Sequence, residues 1–363
     1  MSYDPCSRGA APVGVRSTEL VDAARGGRRL PLELWYPTDA KQRGQDLADA
    51  TRDRFTIAPG LPEAAQRALR GAEPARGRFP LVAYFHGATG HRREASELCT
   101  HLASHGYLVA SPDFTGNTMG DMLADLAGGS GATPRLAPMD RSAADRPLDA
   151  KLVIDRVLGR AEPALSALVD PERVAACGIS FGGWTTLALT SIDRRPRASF
   201  AIVPAWGKGP VKTEALQALV RLDDWGRPVP TFVLAAERDA LIMLAGLREL
   251  HRDLPPPKRL AVLRNAGHLH FCDNAEQSHE MLRTMWKSGA FPAAGDDIDL
   301  AAIAEASRPF AELCPAEHGA VTVQALCLAH MDAHVKGSAD ARSFLAGDLA
   351  RTFAARGIDL ELA

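Results

Sequence analysis

The sequence predicts an α/β protein with a mostly parallel central sheet, helices on both faces and an N-terminal hairpin. Strand-like and helix-like segments alternate at least five times from residue 79 onward. The strand candidates are short continuous apolar runs, the pattern of strands buried on both faces. The turn Gly178-Ile179-Ser180-Phe181-Gly182-Gly183 lies between one such run and a helix.

The elements follow in order. Val13 to Val21 and Leu30 to Tyr36 read as two strands around Arg25-Gly26-Gly27, a hairpin signal. Residues 38–78 are polar and read as an insertion with one short helix near 62–70. Phe79 to Phe85 is a buried strand ending at His86-Gly87-Ala88-Thr89-Gly90. A helix over 92–105 stops at Gly106, and Tyr107 to Pro112 is the next strand. Residues 115–147 form a long excursion rich in Gly, Pro, Asp and Ser, helical around 118–127; loops of that length usually carry function. A helix runs from Leu148 to Leu158, then a strand from Arg173 to Ile179, then a helix from Gly182 to Ser191. Strands at Ala198–Pro204, Pro230–Ala236 and Arg259–Leu263 and a helix at 240–253 continue the alternation. Beyond 275 the chain reads as helical, including 279–288 and 320–335. We expect one domain over 1–363, with the insertion at 38–78, lid candidates at 115–147 and 205–227, and a helical extension over 290–363.

Composition narrows the function. The 363 residues are 46% hydrophobic and 24% charged, which excludes wholesale disorder and collagen-like architecture. Lys plus Arg is 42 and Asp plus Glu is 44, a net charge of −2. Nothing there favours nucleic acid or an anionic membrane as partner. No stretch approaches the length of a membrane helix, and Met1 to Val15 holds no signal-peptide run. A cytoplasmic protein is expected, or a secreted one if a leader has been removed. The six cysteines are too few for a disulfide scaffold; Cys272 and Cys314 are the pair to examine for a bridge.

The chemistry centres on Ser180. A G-x-S-x-G turn between strand and helix pushes the serine hydroxyl beyond the strand end, where the helix adds its N–H groups and positive dipole end. Serine is a weak nucleophile without a base, and the base needs an orienting carboxylate. Both should lie at the carboxyl ends of later strands. Asp239 follows the strand ending at Ala236, and His268 follows the strand ending at Leu263. The chain order Ser, Asp, His is that of α/β-hydrolases. Glu237 and His270 are the rivals. The pair His268 and His270, with Cys272 and Asp273 nearby, also invites a metal reading, but a second matching cluster is missing from the sequence. Two backbone N–H groups must meet the developing oxyanion; Phe181, after the nucleophile, and Ala88, after His86-Gly87, fit. Phe114, Met119, Trp184, Trp206 and Trp225 are candidates for an aromatic substrate wall, with Phe114, Trp184 and Trp206 foremost.

These phrases resemble a known group. Gly178 to Gly183, His86 to Gly90, Leu102 to Ala110, Leu34 to Pro37 and Gly116-Asn117-Thr118 look like those of the predicted dienelactone hydrolases and the platelet-activating-factor acetylhydrolases. The stretch His268 to Asp273 is similar to the acetylhydrolase phrase that holds the base histidine, which favours His268. The resemblance implies the α/β-hydrolase fold and a serine esterase for short or water-soluble acyl esters, with no metal or organic cofactor and a small-molecule ester as partner. Residue 179 is Ile where the acetylhydrolases usually have His. Ser180 stands where true dienelactone hydrolases use cysteine, so dienelactone is not the expected substrate. An acetylhydrolase-like phospholipase, an amidase or peptidase on the same three residues, and a non-catalytic binding protein are the alternatives. Oligomeric state is not legible.

Overall fold

The hairpin forms as its Gly26-Gly27 turn predicts, both glycines adopting positive φ. Strand β1 (Val13–Asp22) pairs antiparallel with β2 (Arg28–Pro37). The computed structural model describes residues 3–57, 61–127, 139–159, 163–223, 225–291 and 297–363. In it, β1 and β2 join a ten-stranded sheet with β3 (Leu69–Arg70), β4 (Phe79–Phe85), β5 (Leu108–Pro112), β6 (Val169–Ile179), β7 (Pro196–Ile202), β8 (Thr231–Ala236), β9 (Lys258–Leu263) and β10 (Leu360–Leu362). The order is β10-β9-β8-β7-β6-β4-β5-β2-β1-β3. The stretch from β9 to β5 is parallel throughout.

The apolar runs read from sequence are the interior of this sheet. Leu81, Val82, Ala83, Tyr84 and Phe85 of β4 are wholly buried, as are Phe232 to Ala236 of β8. Each large side chain so buried contributes roughly 1.5–3 kcal/mol relative to exposure. Helix α1 (Ser96–Ser104) leads from β4 to β5 on one side, and α4 (Phe181–Ile192) leads from β6 to β7 on the other. Because β4 and β6 are neighbours whose connections leave on opposite sides of the sheet, their carboxyl ends form a topological switch point. Ligands of open α/β sheets bind at such a switch point.

Three expectations need correction. The segment 62–70 is not helical: Glu63–Ala65 pairs with Arg54–Thr56, and Leu69–Arg70 adds to the sheet edge beside Gly14 and Val15. Tertiary contacts override its helical composition. Gln66 is buried between Trp35, whose Nε1 donates to Oε1 at 2.7 Å, and Asp53, which accepts from Nε2 at 2.7 Å. The helix expected from Leu148 begins earlier, as α3 (Met139–Leu158), with Pro147 inside it; α2 (Met119–Ala127) precedes it. Proline there reads as a helix start, but buried polar anchors on both sides of it hold the longer helix. Asp149 is wholly buried and pairs with Arg25 at 2.5 Å and Arg28 at 2.7 Å. The part of the first lid candidate at 128–138 lies outside the described residues. The C-terminal extension is helical, as α5 (Ala316–His334) shows, but it ends in the edge strand β10, too short to leave a periodic signal. All six cysteines are free thiols, so Cys272 and Cys314 are not bridged. No helix among the described residues is long and apolar enough to cross a membrane.

Candidate active site

Strand β6 delivers Ser180 into a sharp turn. Its φ of 55° and ψ of −118° are strained for a residue with a side chain. Three backbone bonds hold the turn: Ser180 N donates to the Ile202 carbonyl at 2.8 Å, and the Ser180 carbonyl accepts from Trp184 N at 3.0 Å and Ala205 N at 2.9 Å. The flanking glycines answer a close approach of backbone. A Cβ on Gly182 would stand 1.9 Å from the Phe85 carbonyl oxygen, and one on Gly178 would stand 2.4 Å from that of Gly182. The G-x-S-x-G spacing is therefore what lets α4 start against the end of β4.

Asp239 and His268 meet at the ends of the adjacent strands β8 and β9. His268 Nδ1 lies 2.6 Å from Asp239 Oδ2. The other carboxylate oxygen, Oδ1, accepts from the amides of Leu241 at 2.8 Å and Ile242 at 2.9 Å. The Asp239 side chain is wholly buried and that of His268 is 9% exposed. A carboxylate facing Nδ1 fixes the proton there and leaves Nε2 as the basic nitrogen. The rivals are engaged elsewhere. Glu237 binds Arg264 at 2.8 Å and the Asn265 amide at 2.9 Å. His270 stacks on Phe310 at 4.7 Å, accepts from the Gly267 amide, and contacts the Cys314 carbonyl at 2.9 Å. The Ser180 hydroxyl makes no hydrogen bond among the described residues. The structure thus joins two of the three sequence candidates and leaves the Ser180–His268 link open.

The loop after β4 lies beside Ser180: a Cβ on Gly87 would be 3.5 Å from that of Ser180. Ala88 is exposed, and its amide has no acceptor among the described residues. Phe181 is the first residue of α4, so its amide is one of the four without an intrahelical acceptor. His86 is buried, with the Phe114 amide donating to Nε2 at 2.9 Å. The proton is then on Nδ1, which donates to the Gly87 carbonyl at 2.7 Å. Burial pushes the His86 pKa well down, in keeping with a neutral ring.

The aromatic candidates divide. Trp184 is a core residue, wholly buried, its Nε1 donating to the Leu216 carbonyl at 2.8 Å; it is corrected from the substrate wall to the packing beneath α4. Trp225 is likewise buried, with Nε1 donating to Ser191 at 3.1 Å. Both contacts pin the 205–227 segment to the core. Trp206 is 7% exposed and follows Ala205, whose amide bonds Ser180. Phe114 is buried against His86 and lines a small cavity of about 190 Å³ with Asn117 and Arg146. Met119 is half-buried, its amide donating to the Gly90 carbonyl at 3.0 Å.

Sequence reading missed two charged residues around the loop after β4, Glu94 and Arg146, which no motif singles out, and met Asp273 only as part of the His268 to Asp273 phrase. Glu94 Oε1 accepts from the Gly87 amide at 2.7 Å. Asp273 caps α1 through the Ser96 and Glu97 amides, and its own amide donates to the Glu94 carbonyl at 2.9 Å. This ties the histidine loop to the loop after β4. Burial of the Glu94 carboxyl raises its pKa from an ordinary 4.5 to about 8. The folded protein then holds a proton that the unfolded chain releases between those values. Stability falls as pH rises through that window, by up to about 1.4 kcal/mol per pH unit for one proton. Glu94→Gln, which keeps the acceptor and cannot ionise, should flatten the slope in urea unfolding at pH 5, 6.5 and 8. An unchanged slope would show that Glu94 is not its source.

Comparison with known proteins adds the following. The profile of the Dienelactone hydrolase family matches residues 68–289. Cutinase 2 of Thermobifida cellulosilytica and cutinase cut1 of Thermobifida fusca are each 29% identical over 198 residues, 54% of this chain. The chain spans 62% and 51% of the lengths of these relatives. A ferulic acid esterase from Streptomyces cinnamoneus superposes with a TM-score of 0.59 at 22% identity, over 90% of this chain and 91% of that one. Together with the family match, this likeness establishes the α/β-hydrolase architecture.

Proposed function

The chain belongs to the dienelactone hydrolase family, and from that premise we propose a serine hydrolase that cleaves carboxylic esters of short or water-soluble acids through an acyl-enzyme. The observation that carries the reading is the 2.6 Å contact between His268 Nδ1 and Asp239 Oδ2 at the carboxyl ends of β8 and β9, the same edge of the parallel sheet as the Ser180 turn after β6. In this reading Ser180 Oγ attacks the ester carbonyl while His268 Nε2 takes its proton. The tetrahedral oxyanion is met by the amides of Phe181 and Ala88. His268 then protonates the leaving alcohol as the C–O bond breaks. Water, deprotonated by His268, attacks the acyl-enzyme and restores Ser180. Asp239 holds the imidazole and balances its charge when protonated. The open Ser180–His268 link suits this scheme, because such bonds often tighten only with substrate bound.

Trp206 supports a short acyl group. Its indole is largely buried, one residue along the chain from the Ala205–Ser180 contact, and in this reading it bounds the acyl side of the site. The carboxylic ester hydrolases among the similar proteins, cutinases by name, support the bond type. The test is turnover of p-nitrophenyl esters from acetate to palmitate. The expected result is a burst of one p-nitrophenol per enzyme, with kcat/KM highest at acetate to butyrate. Absence of any ester turnover across the series would refute the reading, and a maximum at palmitate would refute the short-acyl assignment.

A further inference from the structure

We propose that Arg146 is a positioning residue that presets the oxyanion hole; the inference rests on the Ser180 reading above. Arg146 lies on α3 and is 1% exposed. Its guanidinium pairs with no carboxylate among the described residues. It donates instead to the carbonyls of His86 at 2.7 Å and Gly87 at 2.9 Å and to Asn117 Oδ1 at 2.6 Å. The same guanidinium lies between two rings, 4.3 Å from the centroid of Phe114 and 4.3 Å from that of Phe181.

The consequence for the loop follows from peptide geometry. In a trans peptide the carbonyl and the N–H point in opposite directions. The His86–Gly87 peptide is gripped at both ends, its carbonyl by Arg146 and its N–H by Glu94 at 2.7 Å. The Gly87–Ala88 peptide is gripped only at its carbonyl, by Arg146, by His86 Nδ1 and by the Gly90 amide at 3.3 Å. Its N–H, that of Ala88, is turned away from Arg146 and has no acceptor among the described residues. Rotating this peptide would break two hydrogen bonds to a buried cation and a buried imidazole. Phe181, which supplies the other proposed donor, stacks on the same guanidinium. One side chain therefore references both donors. Burying a cation among carbonyls is costly, and a positive charge behind the hole also favours the oxyanion.

The test compares wild type with Arg146→Lys, Arg146→Met and Asn117→Ala. Each is counted by fluorophosphonate titration, so that only molecules with a reactive Ser180 enter the rate. Arg146→Met should lower kcat for p-nitrophenyl acetate about 100-fold with KM nearly unchanged. Arg146→Lys should lower it about tenfold, because an ammonium lacks the planar fork and the ring stacking. Asn117→Ala, which releases one tether, should lower it about threefold or more, on the order of one lost hydrogen bond. Affinity for phenylboronic acid, whose tetrahedral serine adduct places an oxygen in the hole, should fall by the same factors. A merely structural role would reduce the titratable fraction and leave kcat per titrated site unchanged. The proposal is overturned if kcat per titrated site in Arg146→Lys is within twofold of wild type. If neither Arg146 variant folds, the same result in Asn117→Ala overturns it. Wild-type enzyme that does not titrate overturns the Ser180 reading, and the inference with it.

Discussion

Ser180→Ala should hydrolyse p-nitrophenyl acetate on the order of 10⁶-fold more slowly than wild type in kcat. Folding should be unaffected. Alanine keeps the Cβ that already sits at a φ of 55°, and the deleted hydroxyl makes no hydrogen bond among the described residues. Thermal unfolding followed by circular dichroism should place the variant's Tm within about 2 °C of wild type, a shift below roughly 1 kcal/mol. Retained turnover in a well-folded variant would remove Ser180 from the chemistry.

Asp239→Asn should lower kcat by about 10⁴-fold, and the expectation of so large an effect from an isosteric change rests on the hydrogen bonds of the carboxylate. Asp239 Oδ1 accepts from two backbone amides, Leu241 and Ile242, so the oxygen of an asparagine must take that place. The new NH₂ then faces His268 Nδ1 at the position of Oδ2. Two donors cannot share that contact, so the ring proton moves to Nε2, the nitrogen that should accept from Ser180. Stopped-assay kinetics of Asp239→Asn beside Glu237→Gln check the assignment. Glu237, tied to Arg264 and the Asn265 amide, should be replaceable with less than about a threefold loss, because its partners lie outside the proposed reaction.

The sheet was legible because its strands are buried on both faces and therefore apolar without interruption, as at Phe79–Phe85 and Thr231–Ala236. The candidate triad was legible because acyl transfer demands fixed residue types at strand ends, and glycines at 178 and 182 mark the place where backbones nearly touch. The ambiguity between His268 and His270 is one of direction, and the side-chain partners separate them. Arg146 and Glu94 left no trace because their partners are mostly backbone groups, which every residue carries. Their meaning depends on which peptide they meet, and only the fold supplies that. The 62–70 segment failed for a related reason: its alanines and arginines favour helix locally, while the buried Gln66 between Trp35 and Asp53 commits it to extended pairing. Trp184 sits four residues after the nucleophile in sequence, but one helical turn carries it under α4 and into the core.

The decisive measurement is the rate at which a fluorophosphonate labels wild type and His268→Ala, with the modified peptide mapped by mass spectrometry. Activation of one hydroxyl by one imidazole predicts a single adduct on Ser180, formed at least about 100-fold more slowly when His268 is gone. An adduct on another residue, or labelling of Ser180 at the same rate without His268, would contradict it.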